Sequence, residues 1–149
     1  MGASFTLPMA ASELVPHRPP MLLVDRLLAE DGNGGIVTAT ITEGPLTGPD
    51  GHLEEVGLVE LLAQGYAALQ GFLDRRAGKP VQMGFLVGVR KVEVFNAPGI
   101  SDRLEIHLRP QAIVESFAVV DGEVRRGEEL LARGKFKVWI APPEDGGRG

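Results

Sequence analysis

The stretch that decides the fold runs from Val56 to Ala77 and reads VGLVELLAQGYAALQGFLDRRA. Its large apolar residues recur at spacings of three and four, which predicts one long amphipathic helix, and Gly78 and Pro80 favour a stop after it. An interior glycine costs about 1 kcal/mol relative to alanine in a helix. Because small residues are frequent here, we expect other elements to approach the helix closely; they are Gly57, Ala63, Gly65, Ala67, Ala68 and Gly71.

Two strand patterns precede the predicted helix. The first is Met21–Leu28, and the second is an alternating β-branched run over residues 36–41. Between them, residues 31–35 contain three glycines and precede a strand rather than a helix, so we interpret them as a turn and not as a nucleotide-binding loop. The proline-rich residues 1–20 are expected to form an arm that packs against the domain, with one helical turn near Ala10 to Leu14.

The chain after the helix has strand patterns throughout. They begin at Gly84 and Arg103, and the last runs from Leu130 to Ile140. Asp121-Gly122 is typical of a tight hairpin turn, which we expect there. The predicted order is strand, strand, long helix and about four antiparallel strands, an α+β fold in which an antiparallel sheet wraps around one helix.

Length and composition indicate one domain spanning residues 1–149, with a flexible tail over residues 142–149. The 149 residues are 44% hydrophobic, enough for a substantial core. The sequence has no cysteine, which excludes disulfides, cysteine-ligated metals and a thiol nucleophile, and fits a cytoplasmic location. A secretory pattern and a run of about 20 apolar residues are also missing, so we expect neither export nor a membrane span.

The charge balance indicates which partners to expect. A formal charge of −5 and an aromatic content of 5% argue against a nucleic-acid binder, which needs a basic face or a stacking platform. Small molecules or proteins are the expected partners. The three histidines lack metal-ligand spacing, so we expect no metal site, and no motif indicates a cofactor.

Three segments resemble a known family. They are VPHRPPMLLVDR at residues 15–26, ELLAQ at residues 60–64, and GFLVGVRK at residues 84–91 followed by Pro98-Gly99. From about Leu14 to Ile140 the chain resembles the hotdog-fold 3-hydroxyacyl-acyl carrier protein dehydratases. The resemblance implies a hotdog fold, a lyase that dehydrates 3-hydroxyacyl thioesters in fatty-acid or polyene biosynthesis, and a dimer.

One loop departs from that family. In those dehydratases a Gly-His-Phe-Pro loop supplies the catalytic histidine, and a Pro-Gly pair opens the helix. Here the loop reads Gly51-His52-Leu53-Glu54, His52 lies only eight positions before Glu60, and the Pro-Gly pair is missing. The shorter loop is more similar to the dehydratase-like proteins of aryl-polyene pigment clusters, a divergent branch of the superfamily.

The expected catalytic residues are Glu60 and His52. Dehydration needs a base at C2, a proton donor for the leaving hydroxyl, and a dipole at the thioester oxygen. The resemblance implies that His52 of one subunit and Glu60 of the other meet across a dimer. We expect the amides near Val56 to Leu58 to polarise the thioester carbonyl, and expect substrate contacts at Gln64, Gly57 and Gly88.

Structural roles remain open beside these catalytic ones. His52 can be a solvated loop histidine, and Glu60, set among leucines, can belong to a structural ion pair. Gln64 can orient Glu60 or the substrate, or serve as a helix-capping or interface amide. His17 is expected to hold the arm, and His107 to lie exposed on a strand.

The expected partner is an acyl carrier protein. Because carrier proteins of this class are acidic, docking requires a local basic patch, and the candidates are Arg75, Arg76, Lys79, Arg90 and Lys91. The expected assembly is a homodimer, or a heterodimer with a related hotdog dehydratase. Two alternative functions remain: a catalytically impaired subunit that pairs with an active relative, and a hotdog acyl thioesterase.

Overall fold

The computed structural model describes residues 6–79 and 84–140. One long helix, α1, spans Glu55–Arg76, within one residue of the predicted bounds at each end. The strands are β1 (Met9–Ala10), β2 (Arg26–Glu30), β3 (Gly35–Thr40), β4 (Gly84–Val94), β5 (Arg103–Val114), β6 (Phe117–Arg126) and β7 (Glu129–Ile140). A short 3₁₀ turn covers Ala11–Glu13, as predicted for the arm.

The seven strands form one antiparallel sheet in the order β1-β2-β3-β5-β6-β7-β4. The sheet wraps around α1, which confirms the predicted α+β architecture. The edges are β1 and β4, so β4 has a neighbouring strand on one side only among the residues that the structure describes. An edge strand of this kind leaves backbone groups free to pair with a strand of another chain.

The core lies between α1 and the concave face of the sheet. Leucines and one phenylalanine of α1 pack there against aliphatic residues of the strands; both groups are almost fully buried and include Leu58, Leu61, Leu69, Phe72, Val37, Ile106, Leu108, Val120 and Val124. α1 is long and apolar enough to cross a bilayer, but most of it is buried, as in the core helix of a soluble domain.

The glycines of α1 allow close approach of its neighbours, as predicted. A Cβ at Gly65 would lie 2.9 Å from Cδ1 of Leu108, and one at Gly71 would overlap the main-chain oxygen of Leu14. The missing side chain at Gly65 therefore leaves room for a side chain of β5. At Gly71 it leaves room for the backbone of the arm. In both cases packing offsets the low helix propensity of glycine.

The hairpin turn predicted at Asp121-Gly122 is wrong. Both residues lie in the middle of β6, and the chain turns instead next to Glu115 and Gly127, which have φ values of 58° and 62°. Gly122 is buried, and a Cβ there would lie 2.6 Å from Cδ2 of Leu62. Here the glycine makes room for α1, while Asp121 faces outward with Oδ1 3.2 Å from Nζ of Lys135.

The first predicted strand is shorter than expected. Residues 21–24 precede β2, and their backbone hydrogen bonds go to Arg18 and to a side chain of α1 rather than to a neighbouring strand. The arm packs against the domain as predicted, since Ala11, Leu14 and Val15 are buried. The flexible tail expected over residues 142–149 lies outside the described residues.

Candidate active site

Glu60 lies on a face of α1 that the sheet of its own chain leaves partly uncovered. Its side chain is 30% exposed, and Oε2 accepts a hydrogen bond from Nε2 of Gln64 over 2.7 Å. Oε1 accepts no hydrogen bond from the residues that the structure describes. One carboxylate oxygen is thus held, and the other is available to a ligand or to a second chain.

Gln64 holds the Glu60 carboxylate in place. It is 1% exposed, and its Oε1 accepts from the backbone N–H of Leu23 over 2.8 Å. Its Nε2 donates to the main-chain oxygen of Met21 over 2.7 Å as well as to Glu60. Every hydrogen-bonding group of the amide is therefore used, which fixes its orientation and, through it, one oxygen of Glu60.

His17 is the residue that sequence reasoning missed. Its Nε2 lies 3.7 Å from Oε2 of Glu60, and its side chain is 34% exposed. We expected His17 only to hold the arm. The signal was present in the sequence, because the Pro-His-Arg residues belong to one of the three segments that carry the resemblance, and the structure places this segment directly against Glu60 and Gln64.

His52 lies in a loop held by a different part of the chain. Leu53 donates its backbone N–H to the oxygen of Pro98 over 2.9 Å, and His52 forms a β-bridge with Gly99. The His52 side chain is 51% exposed, with Nδ1 3.4 Å from Oδ2 of Asp50. No hydrogen bond or ion pair joins His52 to Glu60 within the chain.

A small cleft has Leu23 and Leu53 in its wall. Its volume is about 150 Å³, and its full lining is Leu22, Leu23, Asp25, Thr40, Ile41, Thr42 and Leu53. The backbone N–H of Leu23 donates to Gln64, and Leu53 follows His52 in the chain. The cleft therefore adjoins both the segment that holds Gln64 and the loop that carries His52.

The start of α1 offers fewer free amides than expected. The N–H groups of Gly57 and Leu58 both donate to the main-chain oxygen of Glu54, over 2.8 and 3.2 Å. The expectation that amides from Val56 to Leu58 polarise a carbonyl is therefore wrong for two of the three. Only the N–H groups of Glu55 and Val56 remain at the positive end of the helix dipole.

The two glycines expected to contact substrate have different surroundings. Gly57 is buried, and a Cβ there would lie 2.5 Å from Cδ1 of Leu53, so its small size serves packing inside the chain. Gly88 lies at a register shift of β4, and a Cβ there would meet no atom of the described residues within 4 Å. In the part of the chain that the structure describes, this position therefore leaves room for another molecule.

The basic residues form two groups. Arg75, Arg76 and Lys79 are exposed at the end of α1, and Arg90 and Lys91 are exposed on β4. Arg76 is already engaged, because its Nη1 donates to Oε1 of Glu30 over 2.8 Å and its guanidinium lies 5.2 Å from the centre of the Phe72 ring. In the part of the chain that the structure describes, no three His, Cys, Asp or Glu side chains cluster as metal ligands would.

Sequence comparison shows the family. A family model described as ApeP-like, ApeP dehydratase, matches residues 9–145. The 3-hydroxyacyl-[acyl-carrier-protein] dehydratase FabZ of Clostridioides difficile (strain 630) is 30% identical over 133 residues, which cover 83% of this chain and 89% of that protein. The FabZ of Lactococcus lactis subsp. cremoris (strain MG1363) is 33% identical over 138 residues, covering 83% of this chain and 92% of the relative.

Solved structures agree on the fold. The dehydratase heterocomplex ApeI:P from Xenorhabdus doucetiae superposes with a TM-score of 0.82 at 22% identity, covering 93% of each chain. A hypothetical thioesterase from Streptococcus pneumoniae TIGR4 gives a TM-score of 0.60 at 13% identity, covering 76% of this chain and 85% of that one. With the family model and the FabZ relatives, these results show that the chain has the hotdog fold and belongs to the ApeP-like dehydratase family.

Proposed function

We propose that this chain takes part in the dehydration of 3-hydroxyacyl thioesters carried on acyl carrier protein, with Glu60 protonating or holding the 3-hydroxyl. The observation that carries the proposal is the Glu60 carboxylate, whose Oε2 is held by Gln64 while Oε1 is available. A fixed carboxyl at a partly uncovered face suits general acid–base catalysis. The FabZ relatives support the substrate class.

In this proposal His52 is the base and comes from a second subunit. Support comes from the separation of His52 and Glu60 within one chain, where different segments hold them. The edge strand β4 and the exposed apolar side chains of Val89, Val94 and Phe95 beside it offer a surface for a second sheet. The partner is a second copy or a related hotdog dehydratase, and the X. doucetiae complex is itself a heterocomplex.

The carrier protein, in this proposal, docks on Arg75, Lys79, Arg90 and Lys91. All four are exposed, and none of them forms an ion pair among the described residues. Arg76 contributes less because Glu30 already neutralises it. Since the chain has a net charge of −5, attraction of an acidic partner depends on such a local patch. We place the reaction in the cytoplasm, which cell fractionation would test.

Mass spectrometry of a 3-hydroxyacyl-carrier protein tests the function, with loss of water as the readout. The wild-type chain should produce the enoyl product alone or with a related dehydratase. Glu60→Gln should lower the rate by roughly 10²- to 10⁴-fold, the usual contribution of a general acid. The matched control is Glu55→Gln, an exposed glutamate at the first position of α1, which should keep the wild-type rate.

A non-catalytic subunit is the second candidate, and two observations favour it. The His52 side chain is half exposed and its ion-pair contact is to Asp50 of the same loop, and the N–H groups of Gly57 and Leu58 already donate to Glu54. If turnover occurs only with a related dehydratase and Glu60→Gln leaves that rate unchanged, the chain contributes binding surface alone. Release of free acid instead of loss of water would indicate a thioesterase.

A further inference from the structure

We propose that His17 is a positioning residue for Glu60, acting from the same chain. It would hold Oε2 of the carboxylate together with Gln64, so that Oε1 faces the substrate. The inference rests on the proposed dehydration at Glu60. The inference gives the N-terminal arm a role in the reaction. Without that role, His17 would only pack the arm against the domain.

Two potential donors converge on the same oxygen. Nε2 of Gln64 lies 2.7 Å from Oε2 of Glu60, and Nε2 of His17 lies 3.7 Å from it. Among the described residues, Glu60 is the only carboxylate within ion-pair distance of the His17 ring. Two side chains therefore approach Oε2 of Glu60: an amide from its own helix and an imidazole from the arm.

The other ring nitrogen of His17 indicates where its proton lies. Nδ1 is buried and has no hydrogen-bond partner among the described residues. A buried N–H without an acceptor is costly, so a proton on Nδ1 is disfavoured. A proton on Nε2 instead directs an N–H toward Glu60. Nε2 is thus the ring nitrogen that faces the carboxylate.

The arm is rigid enough to place this donor. Nη1 of Arg18 donates to the main-chain oxygens of Val15 and His17, over 3.0 and 2.7 Å. The N–H groups of Met21 and Leu22 then donate to the oxygen of Arg18. Val15 is buried in the core, and the main-chain oxygen of Met21 accepts a hydrogen bond from Gln64. His17 is therefore fixed on both sides.

Kinetics of three variants test the role. His17→Ala should lower kcat by roughly 10- to 100-fold with little change in KM, because a misplaced catalytic group slows chemistry more than binding. His17→Gln retains a side-chain donor and should recover most of that loss. The control is His107→Gln, since His107 is also 34% exposed and pairs with a carboxylate, Glu105, on β5. It should behave as wild type.

A measurement that needs no turnover separates this inference from the proposed function. In nitrogen-15 NMR spectra of the imidazole rings, the His17 signals should report the approach of its Nε2 to Glu60. Glu60→Gln should shift the His17 ring signals and leave those of His107 in place. Unmoved His17 signals, or a wild-type kcat in His17→Ala, would overturn the inference. If the wild type gives no dehydration under any condition, the proposed function fails, and the ring signals still decide whether Glu60 fixes His17.

Discussion

The side-chain amide of Gln64 donates to the Glu60 carboxylate over 2.7 Å, one helical turn away, and to the backbone of Met21 over 2.7 Å. Gln64 therefore connects the N-terminal arm to the candidate catalytic residue. The separation of four residues puts both side chains on one face of α1. Any change at Gln64 should act both on stability and on the site.

Gln64→Leu should lower the free energy of unfolding by roughly 1–3 kcal/mol, because it leaves the oxygen of Met21 and the N–H of Leu23, both partly buried, without their partner. Urea denaturation measures the loss. Gln111→Leu is the matched control, since Gln111 is exposed on β5 and makes only one 3.5 Å contact. Equal stabilities of the two variants would contradict the anchoring role.

Alanine at the two tightly packed helix glycines should give unequal costs. Both changes gain about 1 kcal/mol of helix propensity. At Gly71 the new Cβ meets the backbone oxygen of Leu14, which cannot rotate away, whereas at Gly65 it meets side-chain methyls of Leu108 and Ile106. Gly71→Ala should therefore destabilise the protein by roughly 1–3 kcal/mol and more than Gly65→Ala. Thermal denaturation compares the stabilities of the two variants. The reverse order would show that the arm moves away from the new Cβ at little cost.

The fold could be predicted where a periodic pattern had no competing explanation. The helix over 56–77 and the strands β4, β5 and β7 follow directly from apolar spacing. The turn prediction at Asp121-Gly122 was wrong because this dipeptide is compatible with two structures. It can form a turn, or it can lie in a strand whose glycine packs against a helix. Which applies depends on Leu62, more than 50 positions away, and local sequence carries no information about that contact.

The candidate site was predictable in part. Glu60 and Gln64 stand out as polar residues on an apolar helix, and the structure joins them. The approach of His17 depends on the local hydrogen bond from Arg18 to Val15 and on the hydrogen bond from Leu23 to Gln64, 41 positions away, and local spacing does not encode the second of these. The free amides at the start of α1 were overestimated because Glu54 accepts two of them.

Asp102 should make stability depend on acid pH. The backbone N–H of Gly99, followed by the Arg126 guanidinium, lowers the pKa of this carboxyl below its usual 3.8. Its contribution is therefore complete above about pH 4 and is lost as the pH falls through the lower folded-state value. Asp102→Asn should unfold at a lower temperature than wild type at pH 7, with the gap closing toward pH 2. A gap independent of pH would contradict this.

Charge reversal should separate the two basic groups in carrier docking. Arg90→Glu with Lys91→Glu, and Arg75→Glu with Lys79→Glu, should each weaken binding of an acidic carrier protein at low salt. Added salt should reduce the difference, since screening is strong beyond about 10 Å at 0.1 M. Arg103→Glu, an exposed arginine on β5, is the control. Titration calorimetry measures each affinity, and unchanged binding in either double variant removes that group from the docking surface.

Mixing two inactive variants should reveal whether the site is shared between subunits. In a homodimer, Glu60→Gln and His52→Ala each remove one residue from both sites. A hybrid of the two, however, has one site with both changes and one with neither, provided that Glu60 and His52 come from different chains. Random exchange of subunits makes half of the dimers hybrid, so about a quarter of the wild-type rate should return. No recovery in a mixture shown by native mass spectrometry to contain hybrids would place both residues in one chain, and the cleft between Leu23 and Leu53 would then be the place to look for substrate.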